Sequence, residues 1–331
     1  MAKKKILAVP EGDIFLKRDL EILKKHFEIR TAPTFNRKKP ITTLPSIFKI
    51  LKGTLWADVT FSWFADTHAF LAVLFSKMFR KKSIVVAGGY DVASEPDIGY
   101  GVMKSTKSTA AMVVRFTLRH ADKILALSDS SKNSVLQNAP KAKVETLYCG
   151  VDTQRFNVSN EKREELVISA GRVIKSNLKR KGMETFIKSA EYLPKAKFVL
   201  IGRHEDNSIH HLTSIAPSNV SFTGFASDEQ LVEWYQRAKV YVQVSAHEGF
   251  GLAMAEAMSC ECVPVVTNRG AIPEVAGDAG FYVPYGDPKA TAEAVKKALN
   301  TDGKMARERI VKNFPLEKRE AELIRIINEL V

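Results

Sequence analysis

The stretch Ser245-Ala-His-Glu-Gly-Phe-Gly-Leu-Ala-Met-Ala-Glu-Ala-Met258 carries two carboxylates, Glu248 and Glu256, on either side of a Gly249-Phe250-Gly251 turn that opens a helix. Upstream, Val240-Tyr-Val-Gln-Val244 alternates like a strand. Downstream, Cys262-Val-Pro-Val-Val266 is an apolar run, so the helix is expected between two strands of a parallel sheet. Its N-terminus then opens at the carboxyl edge of that sheet. Gly249 and Gly251 let a ligand approach the backbone, and the free amides from Gly249 to Leu252 favour an anionic or oxygen-rich group. Glu256 stands out because Ala253, Met254, Ala255, Ala257 and Met258 leave little polar surface around it. A buried carboxylate is costly unless hydrogen-bonded, and sugar or ribose hydroxyls would supply the bonds. The plainer alternative is that Glu248 caps the helix as a solvated acid and Glu256 points to water.

With 331 residues, 45% of them hydrophobic and 26% charged, the chain is expected to hold about two globular domains. Cys149, Cys260 and Cys262 are an odd number without metal-ligand spacing, which points to reduced thiols in the cytoplasm rather than a disulfide frame or a zinc site. The apolar run near Met1 is too short for a secretory signal, and no stretch reaches membrane-spanning length, so neither export nor a membrane span is expected. The net charge of +13 is unevenly placed. Residues 1–150 hold 25 Lys and Arg against 13 Asp and Glu, an excess of +12 that leaves +1 for the rest. Such asymmetry suggests that the first half meets an anionic surface or substrate.

Strand-like and helix-like runs alternate throughout. In the first half the strands are expected at Lys5 to Val9, Phe27 to Thr31, Val59 to Ser62, Ser83 to Ala87, Lys123 to Leu127 and Val144 to Tyr148. After a polar stretch at Asn157 to Glu165 the alternation restarts with Leu166 to Ala170, Lys197 to Ile201, Val220 to Phe222, Val240 to Val244 and Cys262 to Val266. The pattern predicts an α/β chain of two doubly wound, Rossmann-like parallel-sheet domains, 1–155 and 156–314. Ligands of such sheets sit at the carboxyl ends of the strands. The last segment, from Phe314-Pro to Val331, has Pro at a helix start and apolar residues at Leu316, Leu323, Ile326, Ile327 and Leu330, the pattern of an amphipathic helix.

Ser169-Ala-Gly-Arg-Val173 ends the first strand of the second half, and Lys179-Arg-Lys-Gly-Met183 opens the helix after it. Arg172 and Lys181 suit a diphosphate there: the guanidinium fork can bind two oxygens, and the ammonium is a point charge. Taken singly, each is better read as a solvated loop cation. In order with Glu248 and Glu256, however, they resemble the nucleotide-sugar site of the family-4 retaining glycosyltransferases, the group 1 glycosyl transferases. The resemblance extends to His120-Ala-Asp-Lys-Ile-Leu-Ala-Leu-Ser128, Leu147-Tyr-Cys-Gly-Val-Asp152 with Phe156, Val199-Leu-Ile-Gly202, Ser221-Phe-Thr-Gly224, Gly270-Ala-Ile-Pro-Glu-Val275 and Asp287-Pro288. It covers residues 118 to 290, with Cys149 where asparagine is usual.

The resemblance implies a GT-B architecture, in which two Rossmann-like domains face one another across a cleft and helix 315–331 packs back on the first. It also implies a retaining transfer, independent of metal and cofactor, from a nucleoside diphosphate sugar of UDP or GDP type to an acceptor held by residues 1–155. In that scheme Glu248 orients the sugar hydroxyls, Glu256 the ribose, and Arg172, Lys181 and the amides from Gly249 to Leu252 stabilise the departing diphosphate. Gly202 borders the base. Two further candidates come from the residues of the first half. Asp91, in Val86-Ala-Gly-Gly-Tyr-Asp91, is either a polar contact to the reacting sugar or a turn residue. His68, at the start of an apolar helix, is either catalytic or a capping and packing residue.

A lipid or lipid-linked acceptor at an anionic membrane surface is suggested by Asn36-Arg-Lys-Lys-Pro40, followed by Leu44-Pro-Ser-Ile-Phe-Lys-Ile-Leu-Lys52, and by Phe70 to Phe79 leading into Arg80-Lys-Lys82. Basic clusters beside apolar stripes can lie in a bilayer interface. The protein would then sit peripherally on the inner face of the membrane. The rival is that Ile47, Phe48, Ile50 and Leu51 face the domain core and the acceptor is a soluble acid or sugar. Two other functions fit less well. A nucleotide-sugar epimerase of the same fold is disfavoured by the spacing of the glutamates, and nucleic-acid binding by the lack of an RNA or DNA motif accompanying the lysines.

Overall fold

The computed structural model describes residues 3–12, 14–33, 43–105 and 107–331, and these divide into two compact units, 1–148 with 317–331 and 149–316. In the first unit β1 (Lys5–Glu11), β2 (Glu28–Pro33), β3 (Val59–Trp63), β4 (Lys82–Ala87), β5 (Lys123–Ala126) and β6 (Val144–Thr146) alternate with α1 (Ile14–His26), α2 (Thr43–Trp56), α3 (Thr67–Met78), α4 (Thr109–His120) and α5 (Asp129–Asn138). The strands form one parallel sheet in the order β2-β1-β3-β4-β5-β6. Helices cover both faces, so the central strands are buried along their length and read as apolar runs rather than alternations; all five residues of β3 are buried. The chain leaves β1 toward one side of the sheet and β3 toward the other. That topological switch point lies between β1 and β3, and ligands of open α/β sheets bind in the crevice such a point creates.

In the second unit β7 (Glu164–Ala170), β8 (Lys197–Ile201), β9 (Val220–Gly224), β10 (Ala238–Gln243), β11 (Val263–Thr267) and β12 (Phe281–Val283) are joined through α6 (Lys175–Arg180), α7 (Met183–Ser189), α8 (Ser208–Ser214), α9 (Asp228–Arg237), α10 (Leu252–Ser259) and α11 (Ile272–Ala276), with α12 (Pro288–Ala298) and α13 (Lys304–Asn313) beyond the last strand. The parallel order is β12-β11-β10-β7-β8-β9, the Rossmann order, with its switch point between β7 and β10. Val240, Val242 and Val244 pack into one apolar core with Phe186, Phe198 and Val295. Tyr241 and Gln243 alternate to the other face of the sheet. The polar stretch 157–165 lies wholly within this second unit, which begins at Cys149.

The final helix, α14 (Leu316–Leu330), buries Leu323, Ile326 and Ile327. It belongs to the first unit, and its anchor is ionic. The Arg319 guanidinium donates 2.8 Å bonds to both oxygens of Asp19 on α1 and further bonds to the carbonyls of Leu147 and Tyr148. Asp19 also accepts the indole N–H of Trp63 at 2.8 Å. A buried pair satisfied on all sides in this way is tolerated, whereas either partner alone would be an uncompensated charge.

Helix α2 divides the apolar residues weighed for it between its two faces. Ser46, Ile50, Gly53 and Thr54 face inward, and Thr54 returns its hydroxyl to the carbonyl of Ile50. Leu44 (77% exposed), Phe48 (53%) and Leu55 (49%) face outward, and the Lys52 ammonium lies 4.7 Å from the centre of the Phe48 ring. Of the residues weighed for the core, Ile50 is inside and Phe48 is not. The cluster Asn36 to Pro40 lies outside the described residues.

Replacing one partner of the Asp19–Arg319 pair should destabilise the first unit by about 3–5 kcal/mol. Urea denaturation of Arg319→Ala, followed by tryptophan fluorescence, should show an early transition for that unit. A midpoint equal to wild type would contradict the role of the clasp.

Candidate functional site

The carboxyl edge of the second sheet is built by loops that leave the two strands flanking its switch point. After β7 the chain passes through Gly171 and Arg172 into α6, whose end is capped by Lys181 in a tight joint before α7. After β10 comes the loop 244–251. It is stitched at three points: Ala246 N–H donates to the Arg180 carbonyl at 2.7 Å, Thr267 Oγ1 to the Ser245 carbonyl at 2.6 Å, and Ala271 N–H to the Glu248 carbonyl at 3.2 Å. Gly251 adopts φ +93° as it turns into α10, a conformation that favours glycine.

The stitches bring Glu248 onto a cationic cluster. Its Oε1 accepts from Lys181 Nζ at 3.1 Å, Arg180 Nη1 at 3.3 Å and Ser245 Oγ at 3.0 Å. Arg180 is held in turn by Asn177 Oδ1 at 2.8 Å, and the Asn177 amide donates to the Arg172 carbonyl at 2.8 Å. The aliphatic stem of Lys181 runs across Gly171, where an added Cβ would come within 2.7 Å of Cδ. Burial works against the charge on Glu248, but Lys181 and Arg180 outweigh it and hold the carboxyl at about 2. Lys181 moves the opposite way to what a simple pair would give. Burial lowers its pKa, Glu248 raises it, and repulsion from Arg180 and Arg172 lowers it again. The cluster therefore holds three cations against one carboxylate, and an arriving anion relieves the excess.

The other expected donor residues are distributed less uniformly. Gly202 follows β8 and donates its N–H to the Gly224 carbonyl at 3.0 Å. Phe250 is buried with its ring edge-on to Phe314 at 5.5 Å, so it contributes backbone and packing at the turn. Leu252 opens α10, as its part in the first-turn amides requires. Glu256 is only 3% exposed, on the interior side of α10, close enough to the hydroxyls of Tyr235 and Tyr241 to raise their pKa values further after burial has done so. Arg180, Ser245 and Asn177 were not singled out by sequence; the (i, i+3) spacing of Asn177 and Arg180 on a helix is the signal that joins two of them.

In the first unit Asp91 and His68 meet around the loop after β3. The Asp91 carboxylate accepts Ala65 N–H at 2.8 Å and Gly89 N–H at 3.0 Å, tying the loops after β3 and β4 together. Burial raises its pKa to about 6, against those two bonds, and the Asp66 charge raises it further. His68 has Nδ1 at 2.5 Å from Asp66 Oδ1 and Nε2 at 2.9 Å from the Trp63 carbonyl. Both ring nitrogens are engaged inside the unit, as in a packing residue, and the helix cap is Asp66, which accepts the His68 backbone N–H at 3.0 Å. Among the described residues no group of three or more His, Cys, Asp and Glu could hold a metal ion, and no helix is long and apolar enough to cross a membrane.

Residues 151–315 match the family model described as glycosyl transferases group 1. Over 227 residues the chain is 30% identical to the capsular polysaccharide biosynthesis glycosyltransferase CapM of Staphylococcus aureus, covering 59% of this chain and 58% of that protein. It is 28% identical to the serotype-specific mannosyltransferase WbdA of Escherichia coli over 57% of this chain and 26% of WbdA. The matches thus span less than two thirds of these relatives. Among solved structures, a sucrose-phosphate synthase from Thermosynechococcus elongatus superposes with a TM-score of 0.81 at 19% identity over 99% of both chains. Anabaena HepE, in complex with UDP and glucose, gives 0.80 at 16% identity over 99% of this chain and 100% of HepE. These likenesses establish a GT-B class fold.

The low pKa of Glu248 makes a pH-dependent contribution whose sign is fixed. A carboxyl near 2 in the folded state against an ordinary 4.5 adds stability above about 4.5 that is lost as the pH falls toward 2. Glu248→Gln should therefore lower the second unit's stability at pH 6 by up to about 3 kcal/mol, with the gap to wild type closing in acid. Denaturant titrations across that range measure it, and a gap independent of pH would refute the ionic role.

Proposed function

We propose that this chain, which carries a group 1 glycosyl transferase domain at residues 151–315, moves a sugar from a nucleoside diphosphate sugar to an acceptor, with the donor held by the second unit and the acceptor by the first. The observation that carries the reading is the excess of cations around Glu248 at the switch point of the second sheet, beside the first turn of α10. In this scheme Lys181, Arg172 and Arg180 take the diphosphate and stabilise the charge that grows on it as the glycosidic bond breaks. Glu248, kept ionised by the same cations, orients the sugar hydroxyls. Glu256 takes the ribose, Gly202 borders the base, and Asp91 and His68 set the loops on the acceptor side. The cations supply the charge neutralisation that a divalent ion would otherwise provide, so the transfer is read as metal-independent. Retention of anomeric configuration and a UDP or GDP donor follow from the family resemblance.

The acceptor is read as lipid or lipid-linked, presented at an anionic bilayer. Support comes from the outward face of α2, where Leu44, Phe48 and Leu55 lie beside Lys49 and Lys52, and from Met78 at the end of α3 next to Arg80, Lys81 and Lys82. Apolar side chains would enter the interface, and each nearby lysine would add on the order of 1 kcal/mol at the headgroups. On this reading the protein is a peripheral one at the inner membrane face.

Lys181→Ala should weaken UDP or GDP binding by more than about 1 kcal/mol in calorimetry, the scale of a charged hydrogen bond. Transfer should survive EDTA, and proton NMR of the product should show the donor's anomeric configuration. An inverted product, or unchanged nucleotide affinity in the folded variant, would overturn the scheme.

Flotation with liposomes tests the membrane reading. Binding should require anionic lipid, fall with salt as charges are screened, and drop in Phe48→Ser with Leu44→Ser. Protein that stays at the bottom of the gradient at low salt would remove the lipid surface from the proposal.

A further inference from the structure

The switch point of the first sheet lies between β1 and β3, and aromatic side chains stand on the loops leaving both strands. Phe15, at the start of α1, is backed by Trp63 at 5.5 Å in a stacked arrangement and is still 45% exposed. Phe64, directly after β3, sets its ring edge-on to both, 6.0 Å from Phe15 and 5.8 Å from Trp63.

The Phe64 backbone is unusual. Its φ is +64°, a region that bulky side chains rarely occupy, and its N–H still donates to the Val86 carbonyl at 2.9 Å. Gly88 leaves room for the ring, since a Cβ there would come within 2.2 Å of Phe64 Cε1. A strained aromatic residue, seated by a glycine at a sheet's ligand-binding edge, points to a function for the ring itself.

The surrounding charge restricts the ligand. Glu11 is exposed at the end of β1, and the Asp66 carboxylate is 47% exposed two residues after Phe64. Asp91 lies buried behind, close enough for its charge to interact with that of Asp66. Lys17 and Arg18 are exposed on the same helix as Phe15, but the carboxylates of Glu11 and Asp66 repel phosphates and carboxylates placed beside them and accept hydrogen bonds from hydroxyls. A neutral polyol with one apolar face fits both properties. Pyranose rings have such a face, made of axial C–H groups that suit the negative face of an aromatic ring.

We propose that Phe15 and Phe64 form a stacking corner for a neutral pyranose ring of the acceptor, with Asp66 receiving its hydroxyls. The inference rests on the transferase reading for calling that sugar the acceptor, but the binding itself can be tested separately. The lipid-linked acceptor proposed above would then present a sugar, not its phosphate, to this edge.

The test uses the full chain with methyl α-mannoside, methyl α-glucoside and methyl α-galactoside at millimolar concentration, read by saturation-transfer difference NMR. Wild type should transfer saturation to the ring C–H protons of at least one glycoside. Phe15→Ala, on an exposed helix position, and Phe64→Gly, which relieves the left-handed backbone, should each reduce it by about threefold to tenfold, the range of an aromatic contact. UDP or GDP affinity, measured in parallel by calorimetry, should not change in these variants. Undiminished transfer in both variants would overturn the proposal, as would a wild type that binds nucleotide but none of the glycosides. A chain that binds glycosides through Phe64 but binds no nucleotide would retain the stacking corner and sink the transferase reading instead.

Discussion

The placement of one carboxylate among three cations organises the second unit's edge. Lys181, Arg180 and the exposed Arg172 arrive from the segment between β7 and α7, and Arg180 and Arg172 both repel the Lys181 ammonium. Glu248, brought by the loop after β10, holds Lys181 and Arg180 together, and Ser245 and the backbone stitches fix its direction. Because burial raises the cost of every unpaired charge, the geometry is narrow: the stem of Lys181 has to cross Gly171, and the guanidinium of Arg180 has to lean on Asn177. A site held in this way is already shaped for an anion before one arrives, so little ordering remains to be done on binding.

The two sheets use their switch points differently. The edge of the second is cationic and rich in backbone amides, suited to oxygen anions. In the first it is aromatic and acidic, with Asp91 and His68 spent on holding loops together. The division of labour between donor and acceptor proposed for the chain thus has a counterpart in the sign of the local charge. On α2 the lysines Lys49 and Lys52 lie beside outward apolar side chains.

Much of this was legible in the sequence, and the exceptions have physical causes. Strands such as Val240 to Val244 could be read because a parallel sheet covered on both faces demands β-branched runs at fixed intervals. Glu248, Lys181 and Arg172 could be read as an ordered set through the family resemblance, and the structure sets Lys181 on Glu248. Arg180 could not be told from its neighbours, because three consecutive cations, Lys179, Arg180 and Lys181, differ only in which way a short helix turns them. The burial of Glu256 could be read, because a helix clad in alanine and methionine leaves a carboxylate little polar surface to share. On α2 the sequence left two facings open, and the structure divides them: Ile50 is inside and Phe48 is outside. Ser46, Gly53 and Thr54 lie inside because small side chains allow close packing, and the Thr54 hydroxyl is satisfied by its own helix.

The clasp between Asp19 and Arg319 sets an order of assembly on the ribosome. Its two halves are separated by the entire second unit, so during synthesis residues 149–316 emerge, and can fold, while Asp19 and Trp63 still lack the guanidinium that completes their surroundings. The earlier half of the chain therefore matures later. Until α14 arrives, the surface that will receive Leu323, Ile326 and Ile327 stays open to chaperones and to neighbouring nascent chains.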